Sequence, residues 1–355
     1  MRIGIVIALA GVLAIPCYGA KRITVAELEQ TLASSEAAHH EDATVARQLS
    51  AMELTERLIS ARLERLKAGL PGVKSQTALL ALADSSVFLD PPAAESLAKP
   101  EPDQAALYRM LVSVANYVNT TLQHLPNFIA TREITSFENQ PPQFTLRSTS
   151  VVTYRNGQEV VEKADAKSKN QPPTPGLVTH GVFGPILGTV LKDALTGSIR
   201  WGRWETGANG AAAVILYAVP LEKSHYSVWP PRPATPSRGS LSMGDETAQP
   251  AAYHGEIAFD PVSGTILRIA IVADMLPWDY VVHSDIAVEY GAVEIGGKSY
   301  ICPVRSIARM VEYASANHNG LPQRLLNDVV YQQYRRFGSE SRILMPDAIE
   351  PAGNP

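Results

Sequence analysis

Apolar and polar residues alternate along the chain from about residue 127 onward, in short segments separated by turn-forming residues. A β-strand presents successive side chains to opposite faces of its sheet, so this alternation predicts a sheet with one apolar face. Short turns between neighbouring segments favour antiparallel pairing. The predicted strands lie at residues 128–137, 144–154, 199–206, 212–219, 225–229, 285–290, 300–310 and 329–337, in addition to a hairpin at 253–272.

The hairpin at residues 253–272 has the clearest alternation, and it is closed by a turn at 260–264 that ends in glycine. A three-residue loop with Gly264 in the left-handed conformation brings the apolar positions of both strands onto one face. This register places Glu256 opposite Arg268 as an ion pair on the solvent face. The residues predicted to share the apolar face are Ile257, Phe259, Leu267, Ile269 and Ile271.

Three further segments connect the strands. Asn156-Gly157 accepts the positive φ angles of a type I′ turn, and Gly296-Gly297 marks a second tight turn. The apolar stretch that begins at Pro185 predicts a helix, because proline is tolerated in a first helical turn, and this helix is expected to cover a face of the sheet. Residues 230–250 are rich in proline and predict a disordered surface loop.

The N-terminal part of the mature chain has a helical pattern. Thr24 and Glu27 have the spacing of a capping box, a long helix is predicted over about 42–70, a short one over 75–83, and Asp103 is expected to cap another. We expect these helices to pack as a bundle; a coiled-coil seam between two chains is the alternative. The apolar positions are Leu49, Met52, Ile59, Leu63, Leu66 and Leu70 on the long helix, and Leu107, Leu111, Val114, Val118 and Leu122 on the last.

The predicted fold class is therefore α+β, with a helical N-terminal region followed by a large, curved, half-barrel-like antiparallel sheet that carries a helix against one face. The predicted divisions are a signal peptide at 1–20, a helical region at 21–125, a sheet domain at 126–345 and a tail at 346–355.

The first twenty residues have the pattern of an export signal: a basic start, an apolar run from Ile3 to Ile15 and small residues at Gly19 and Ala20. We expect cleavage near Gly19 or Ala20 and a periplasmic or secreted protein. Lipid attachment at Cys17 and an uncleaved membrane anchor are the alternatives. No later stretch is long and apolar enough to predict a transmembrane segment after the signal is removed.

Composition narrows the functional classes. Signal cleavage leaves one thiol, Cys302, in a predicted strand, where a small buried side chain is the expected role. The net charge of −4 provides no basic surface typical of nucleic-acid binding. His254 with Glu256, and His283 with Asp285, each share a strand face, and four such ligands can bind zinc if they converge. We expect them to be separate surface residues, so no metal site is assigned.

No nucleophile elbow, zinc-protease motif, phosphate loop or dinucleotide fingerprint occurs, so no catalytic residue and no cofactor is assigned. A hydrolase with an unrecognised site stays an alternative, because carboxylate pairs have no local signature. A curved sheet with a helix against it forms an apolar cleft, which is a common ligand site. The aromatic side chains expected to line it are Trp201, Trp204, Tyr253, Phe259, Trp278 and Tyr290.

Four segments, at residues 180–188, 253–268, 288–306 and 327–337, resemble a family of uncharacterised exported bacterial proteins. The succession of a strand, Asp260 to Gly264, a second strand and a closing Tyr331 to Phe337 is similar to periplasmic lipoprotein-carrier proteins and related sigma-factor regulators, whose half-barrels hold acyl chains. The helical N-terminal part departs from the carrier pattern. This resemblance implies a non-enzymatic binding protein for an apolar or acylated ligand such as a lipid or lipoprotein. An interaction or scaffold module with an envelope protein partner is the alternative.

Overall fold

The computed structural model describes residues 20–121, 124–160, 177, 182–183, 185–207, 210–229, 248–276, 281–313 and 320–337. The chain divides into two compact units, Met1–Leu89 and Asp90–Pro355. Within the described ranges, no helix is long and apolar enough to cross a membrane. The predicted signal peptide and tail lie outside the described residues, apart from Ala20.

The described part of the first unit contains four helices and one short pair of parallel strands. Thr24 caps its first helix as predicted: Glu27 N donates to Thr24 Oγ1 at 3.2 Å, and Thr24 N donates to Glu27 Oε2 at 2.8 Å. The elements are β1 (Lys21–Ile23), α1 (Val25–Ala37), α2 (Asp42–Ser50), β2 (Met52–Leu54), α3 (Ser60–Ala68) and α4 (Val73–Ser85). The buried core of this unit includes Val25, Leu28, Leu49, Leu54, Leu63 and Leu79.

The predicted continuous helix over 42–70 is wrong, because β2 interrupts it between α2 and α3. β2 pairs in parallel with β1, which lies about thirty residues earlier in the chain. The junction is held by Thr55 N, which donates to Ile23 O at 2.9 Å, and by Val25 N, which donates to Glu56 Oε1 at 2.8 Å. These long-range hydrogen bonds stabilise the strand, although the spacing of the leucines favours a helix. The short helix predicted over 75–83 is confirmed by α4.

The second unit contains one ten-stranded sheet in which every neighbouring pair is antiparallel, in the order β5-β4-β3-β14-β13-β12-β11-β10-β7-β6. The predicted fold class is thereby confirmed. Two very short strands, β8 and β9, pair with each other outside this sheet. The strands are β3 (Phe128–Glu138), β4 (Gln143–Arg155), β5 (Gln158–Val160), β6 (Ser198–Gly207), β7 (Gly210–Val219), β8 (Ser227–Val228), β9 (Gln249–Pro250), β10 (Ala252–Phe259), β11 (Ile266–Asp274), β12 (Val281–Ile295), β13 (Lys298–Glu312) and β14 (Gln323–Arg336).

Two helices, α5 (Gln104–Thr121) and α6 (Pro185–Thr196), pack against the same apolar face of the sheet. Asp103 caps α5 as predicted, since Ala106 N donates to Asp103 Oδ1 at 2.7 Å. The division after Leu89 differs from the predicted boundary near 125, because α5 belongs to the core of the sheet unit rather than to the helical unit. The helix predicted to start at Pro185 is α6.

The hairpin of β10 and β11 is confirmed, but its predicted register is wrong by two residues. Arg268 pairs with Ala258, and Glu256 pairs with Ala270. The connecting loop is longer than expected, and Leu267 is an extra residue in a bulge, so Ile266 rather than Leu267 joins the core. A shift of two residues preserves the side-chain faces, because the strand period is two.

Two turn predictions have different outcomes. Asn156 and Gly157 have φ angles of 53° and 80°, as the predicted type I′ turn requires. Residues 230–247 of the predicted disordered loop lie outside the described residues. The predicted end of that loop is wrong, because Gln249–Pro250 forms a short strand that pairs with Ser227–Val228.

Candidate functional site

The helix-covered face of the sheet has a closed centre and an incompletely covered rim. Buried side chains from α5, α6 and eight of the ten strands form one continuous apolar cluster. Around it lie further large apolar side chains that stay partly exposed, although they pack against the cluster. These rim residues are Leu107, Leu111, Tyr117, Val118 and Leu125 in and after α5, Ile186 and Leu191 on α6, and Ile134, Ile199, Trp201, Trp204, Tyr226, Tyr290, Val293, Tyr300 and Tyr334 on or beside the sheet.

A group of aromatic rings anchors the start of α6 to the sheet. Phe183 packs edge-on against Tyr331 at 4.9 Å and against Phe128 at 5.5 Å between ring centroids. Phe128 in turn stacks on Tyr154 at 4.9 Å. Offset and edge-to-face pairs of this kind add to the stability that burial alone provides. The closed centre is therefore a well-packed core, and the rim residues are the apolar side chains of this face that stay partly exposed to solvent.

The predicted aromatic residues divide between these two regions. Tyr253 and Phe259 are fully buried in the centre. Trp201, Trp204 and Tyr290 lie in the rim. Trp201 and Trp204 touch edge to face at 4.8 Å, and Trp204 Nε1 donates to the carbonyl of Pro100 at 2.9 Å. Trp278 lies outside the described residues.

Tyr290 has a feature that the other predicted residues within the described ranges lack. Its hydroxyl oxygen is buried and makes no hydrogen bond within the described part of the chain. Burial raises the pKa of this phenol, with smaller contributions from Tyr117, Tyr331 and Cys302. A buried polar group without a partner typically costs about 1–3 kcal/mol. The rim thus contains one polar atom that is ready to donate a hydrogen bond.

Cys302 has the structural role expected from the sequence. Its thiol is unpaired and buried within the apolar cluster. Burial raises the pKa of the thiol to about 12, so it stays protonated at neutral pH. Since the thiolate is the reactive form of cysteine, this side chain acts as a small apolar group.

A buried carboxylate joins the end of α6 to the sheet. Asp193 accepts hydrogen bonds from His225 N at 2.8 Å and from Tyr253 OH at 3.0 Å, and His225 Nδ1 lies 2.7 Å from its other oxygen. Asp193 is 1% exposed. The sequence analysis missed this group, although an acid on the apolar side of α6, three residues after Val190, is a signal that could have revealed it.

Next to this group is a shallow cavity of about 420 Å³. Tyr253 is the one predicted aromatic residue that lines it, beside Lys223, whose Nζ donates to Thr196 O at the C-terminal end of α6 at 2.6 Å. A lysine at this position satisfies a free helix carbonyl and complements the helix dipole. The remaining lining residues are Gly197, Ser198, Ala218, Val219, Pro220, Ala252 and Asp274.

The opposite face of the sheet carries charges that are mostly withdrawn from solvent. Arg203 Nε donates to Glu205 Oε1 at 2.8 Å, and Arg203 Nη2 donates to Glu256 Oε2 at 2.6 Å. Arg268 contacts the same two carboxylates. The exposed fractions of these four side chains lie between 9% and 18%. Burial lowers the pKa of the Arg268 guanidinium, but Glu256 and Glu205 outweigh that effect and raise it. The predicted pair of Glu256 and Arg268 exists, but its predicted solvent exposure is wrong.

The two histidine pairs considered as zinc ligands do not converge. His254 Nδ1 lies 3.0 Å from Asp274 Oδ1, whereas His283 Nε2 lies 2.6 Å from Asp285 Oδ2. Asp285 also pairs with Arg309. β11 separates the strands of the two histidines. Within the described ranges, no group of three or more His, Cys, Asp or Glu side chains could hold a metal ion.

The first unit contains a cavity of its own, of about 500 Å³. It is lined by α1, α2, α3 and the turns that follow α1 and α3, and its lining combines apolar side chains with charged and histidine side chains. The Nδ1 atom of His40 is buried there without a hydrogen-bond partner. The lining residues are Glu29, Leu32, Ala33, Ser35, Glu36, His39, His40, Val45, Arg65, Leu66, Gly69, Leu70 and Pro71.

The chain has no significant match among protein-family models, curated proteins or solved structures. Its function is therefore inferred from its own residues.

Proposed function

We propose that this protein binds an apolar or acylated ligand, which lies along the rim between the two helices and the sheet. The observation that supports this proposal most strongly is the rim itself. Its large apolar side chains pack against the core but stay partly exposed along α5, α6 and the sheet. Contiguous exposed apolar surface on a protein usually marks a site for a ligand or a partner.

Burial of an acyl chain in the rim would make a large favourable contribution to the free energy of binding. Each methylene group that leaves water for an apolar surface contributes about 0.8 kcal/mol. Eight buried methylenes therefore contribute about 6 kcal/mol before the entropic cost of association. An acyl chain of ordinary length contains this many methylene groups, whereas a small polar metabolite does not.

The proposed location is the periplasm or the extracellular space. The support for it is the sequence of the first twenty residues, with a basic start, an apolar run and small residues at Gly19 and Ala20. In that compartment, a binding protein for acylated molecules would keep apolar chains out of water. The similarity to lipoprotein-carrier half-barrels noted in the sequence supports the same proposal.

Two neighbouring residues of α5 provide a matched test. Leu111 belongs to the rim, whereas Val112 points outward and is 40% exposed. Titration of the methyl ester of a dansyl-labelled C11 fatty acid, followed by dansyl fluorescence, should show binding by the wild type and by Val112→Gln, and much weaker binding by Leu111→Gln. Leu107→Gln, one turn earlier, should repeat the loss. Equal binding by all four proteins would place the ligand elsewhere, and no binding by the wild type would refute the proposal.

A second candidate function is partner binding by the first unit, and its cavity of about 500 Å³ is the observation that favours it. An envelope protein that places an apolar side chain there would contact Leu66. Recovery of the same partner from envelope lysate by the wild type and by Val73→Glu, but not by Leu66→Glu, would support this function. Val73 is a suitable control because it is 68% exposed and does not line the cavity.

A further inference from the structure

We infer that the hydroxyl of Tyr290 donates a hydrogen bond to an uncharged carbonyl of the bound ligand, and that the ligand is therefore an acyl ester or amide. This inference rests on the proposed function, and it names the chemical class of the ligand and the atom that recognises it. Its basis is the contrast between Tyr290 and the other tyrosines on the same face of the sheet.

Three other tyrosine hydroxyls on this face have partners inside the protein, whereas the buried hydroxyl of Ser306 has none within the described residues. Tyr253 OH donates to Asp193, Tyr217 OH donates to Ala270 O at 2.8 Å, and Tyr334 OH donates to Pro303 O. Tyr290 OH is equally withdrawn from water but makes no such bond. Native proteins satisfy nearly all of their buried polar groups, so an exception calls for a specific explanation.

The backbone around Tyr290 is irregular. The pairing of β12 with β13 shifts register between Glu289 and Tyr290, and Tyr290 then lies opposite Pro303. A bulge of this kind redirects a side chain, and bulges are frequent next to functional sites. Proline has no N–H, and its carbonyl already accepts from Tyr334. The Tyr290 ring packs against the apolar cluster as a rim residue, so a ligand that inserts into the rim and displaces the side chains over the phenol would reach its hydroxyl.

The surroundings of Tyr290 select an uncharged acceptor. The groups that act on its pKa are Tyr117, Tyr331 and Cys302, and each of them is neutral at pH 7. Tyr331, on the neighbouring side, is only 4% exposed, so little water reaches that side. A free carboxylate would lose its hydration at this position without gaining an opposite charge, which is strongly unfavourable. A carbonyl of an ester or amide needs one donor, and Tyr290 supplies it.

The test compares three probes that have similar chains and different ends: methyl dodecanoate, dodecanoate and tridecane. Each probe displaces the methyl ester of a dansyl-labelled C11 fatty acid from the wild type, Tyr290→Phe and Tyr334→Phe. The wild type should bind methyl dodecanoate about tenfold more tightly than tridecane, as expected for one hydrogen bond, and should bind dodecanoate more weakly than the ester. Tyr290→Phe should lose this preference for the ester while its affinity for tridecane is unchanged.

A second measurement does not depend on a ligand. Without a partner to lose, Tyr290→Phe should be at least as resistant to urea as the wild type, whereas Tyr334→Phe should unfold at a lower urea concentration because Pro303 O loses its donor. Equal destabilisation by both changes would overturn the inference, since the Tyr290 hydroxyl would then have an internal partner. An unchanged preference for the ester in Tyr290→Phe would overturn the inference but leave the proposed function standing. Failure of every probe to bind the wild type would overturn both.

Discussion

The hydroxyl of Tyr253 on β10 donates a 3.0 Å hydrogen bond to the carboxylate of Asp193 on α6. Both side chains are almost completely buried, so this bond links the helix to the sheet beneath it. Hydrogen bonds to charged groups typically contribute about 1.5–3 kcal/mol. Tyr253→Phe should reduce the free energy of unfolding by about this amount in urea denaturation. Tyr108→Phe, at a position that is 68% exposed, is the control and should change little. Equal stability of the two variants would show that the bond does not hold α6.

The ion pairs among Arg203, Glu205, Glu256 and Arg268 lead to a prediction about charge removal. Arg268→Met leaves Glu205 and Glu256 in a largely buried position with Arg203 as the remaining cation. Breaking a buried pair from one side typically costs about 3 kcal/mol or more, because the other charge stays desolvated. Denaturant unfolding of Arg268→Met should show a loss of this size.

Two comparisons make this prediction specific. Lys67→Met removes the pair with Glu64, in which the side chains are 36% and 68% exposed, and should cost less than about 1 kcal/mol. Arg268→Met combined with Glu256→Gln should cost less than the sum of the single changes, since the double variant removes one charge of each sign. Additive effects would show that the two side chains do not interact.

Glycine is required at position 264 both for its backbone conformation and for its close contact with α5. A comparison with Gly297 separates these two reasons. Both glycines have positive φ angles, 75° and 77°, which residues other than glycine adopt at a cost of about 1–2 kcal/mol. A Cβ at Gly264 would also collide with the backbone of Ser113 in α5, whereas a Cβ at Gly297 would meet nothing within 4 Å. Gly264→Ala should therefore lower the free energy of unfolding by at least twice as much as Gly297→Ala. Similar losses would mean that α5 moves away without cost.

Local sequence patterns are enough to locate the hairpins and helices of the second unit. Asn156-Gly157 adopts the predicted turn, and Asp103 caps α5, because both depend on residues that are close together in the chain. The break in the predicted helix over 42–70 depends instead on the pairing of Met52–Leu54 with Lys21–Ile23. Helical periodicity carries no information about such a distant partner.

The candidate site shows the same limit. Alternation correctly places Glu256 and Arg268 on one face, but it does not reveal whether that face is exposed, and their side chains are only 14% and 12% exposed. Tyr253, Phe259 and Tyr290 were selected as aromatic residues of one apolar face. Only the packing of the helices separates the buried pair from the rim residue Tyr290, and only the three-dimensional structure shows that its hydroxyl has no partner.

Glu312 on β13 predicts a pH dependence. Burial raises the pKa of its carboxyl group to about 7 in the folded protein, from 4.5. As pH rises from 4.5 to 7, the unfolded chain releases this proton before the folded protein does, so Glu312 progressively reduces stability over that range. Below pH 4.5, Glu312 is protonated in both the folded and the unfolded state, so it does not reduce stability there. Glu312→Gln should therefore raise the urea midpoint at pH 8 and have little effect at pH 4. A gain that is equal at both pH values would contradict the raised pKa.

The central claim is that the rim between the helices and the sheet holds an acylated molecule. Native mass spectrometry of the purified protein after incubation with a bacterial lipid extract tests it most directly. The wild type should carry one acyl lipid per chain, and Leu111→Gln should carry much less. Wild-type protein that stays bare across the extract would contradict the claim.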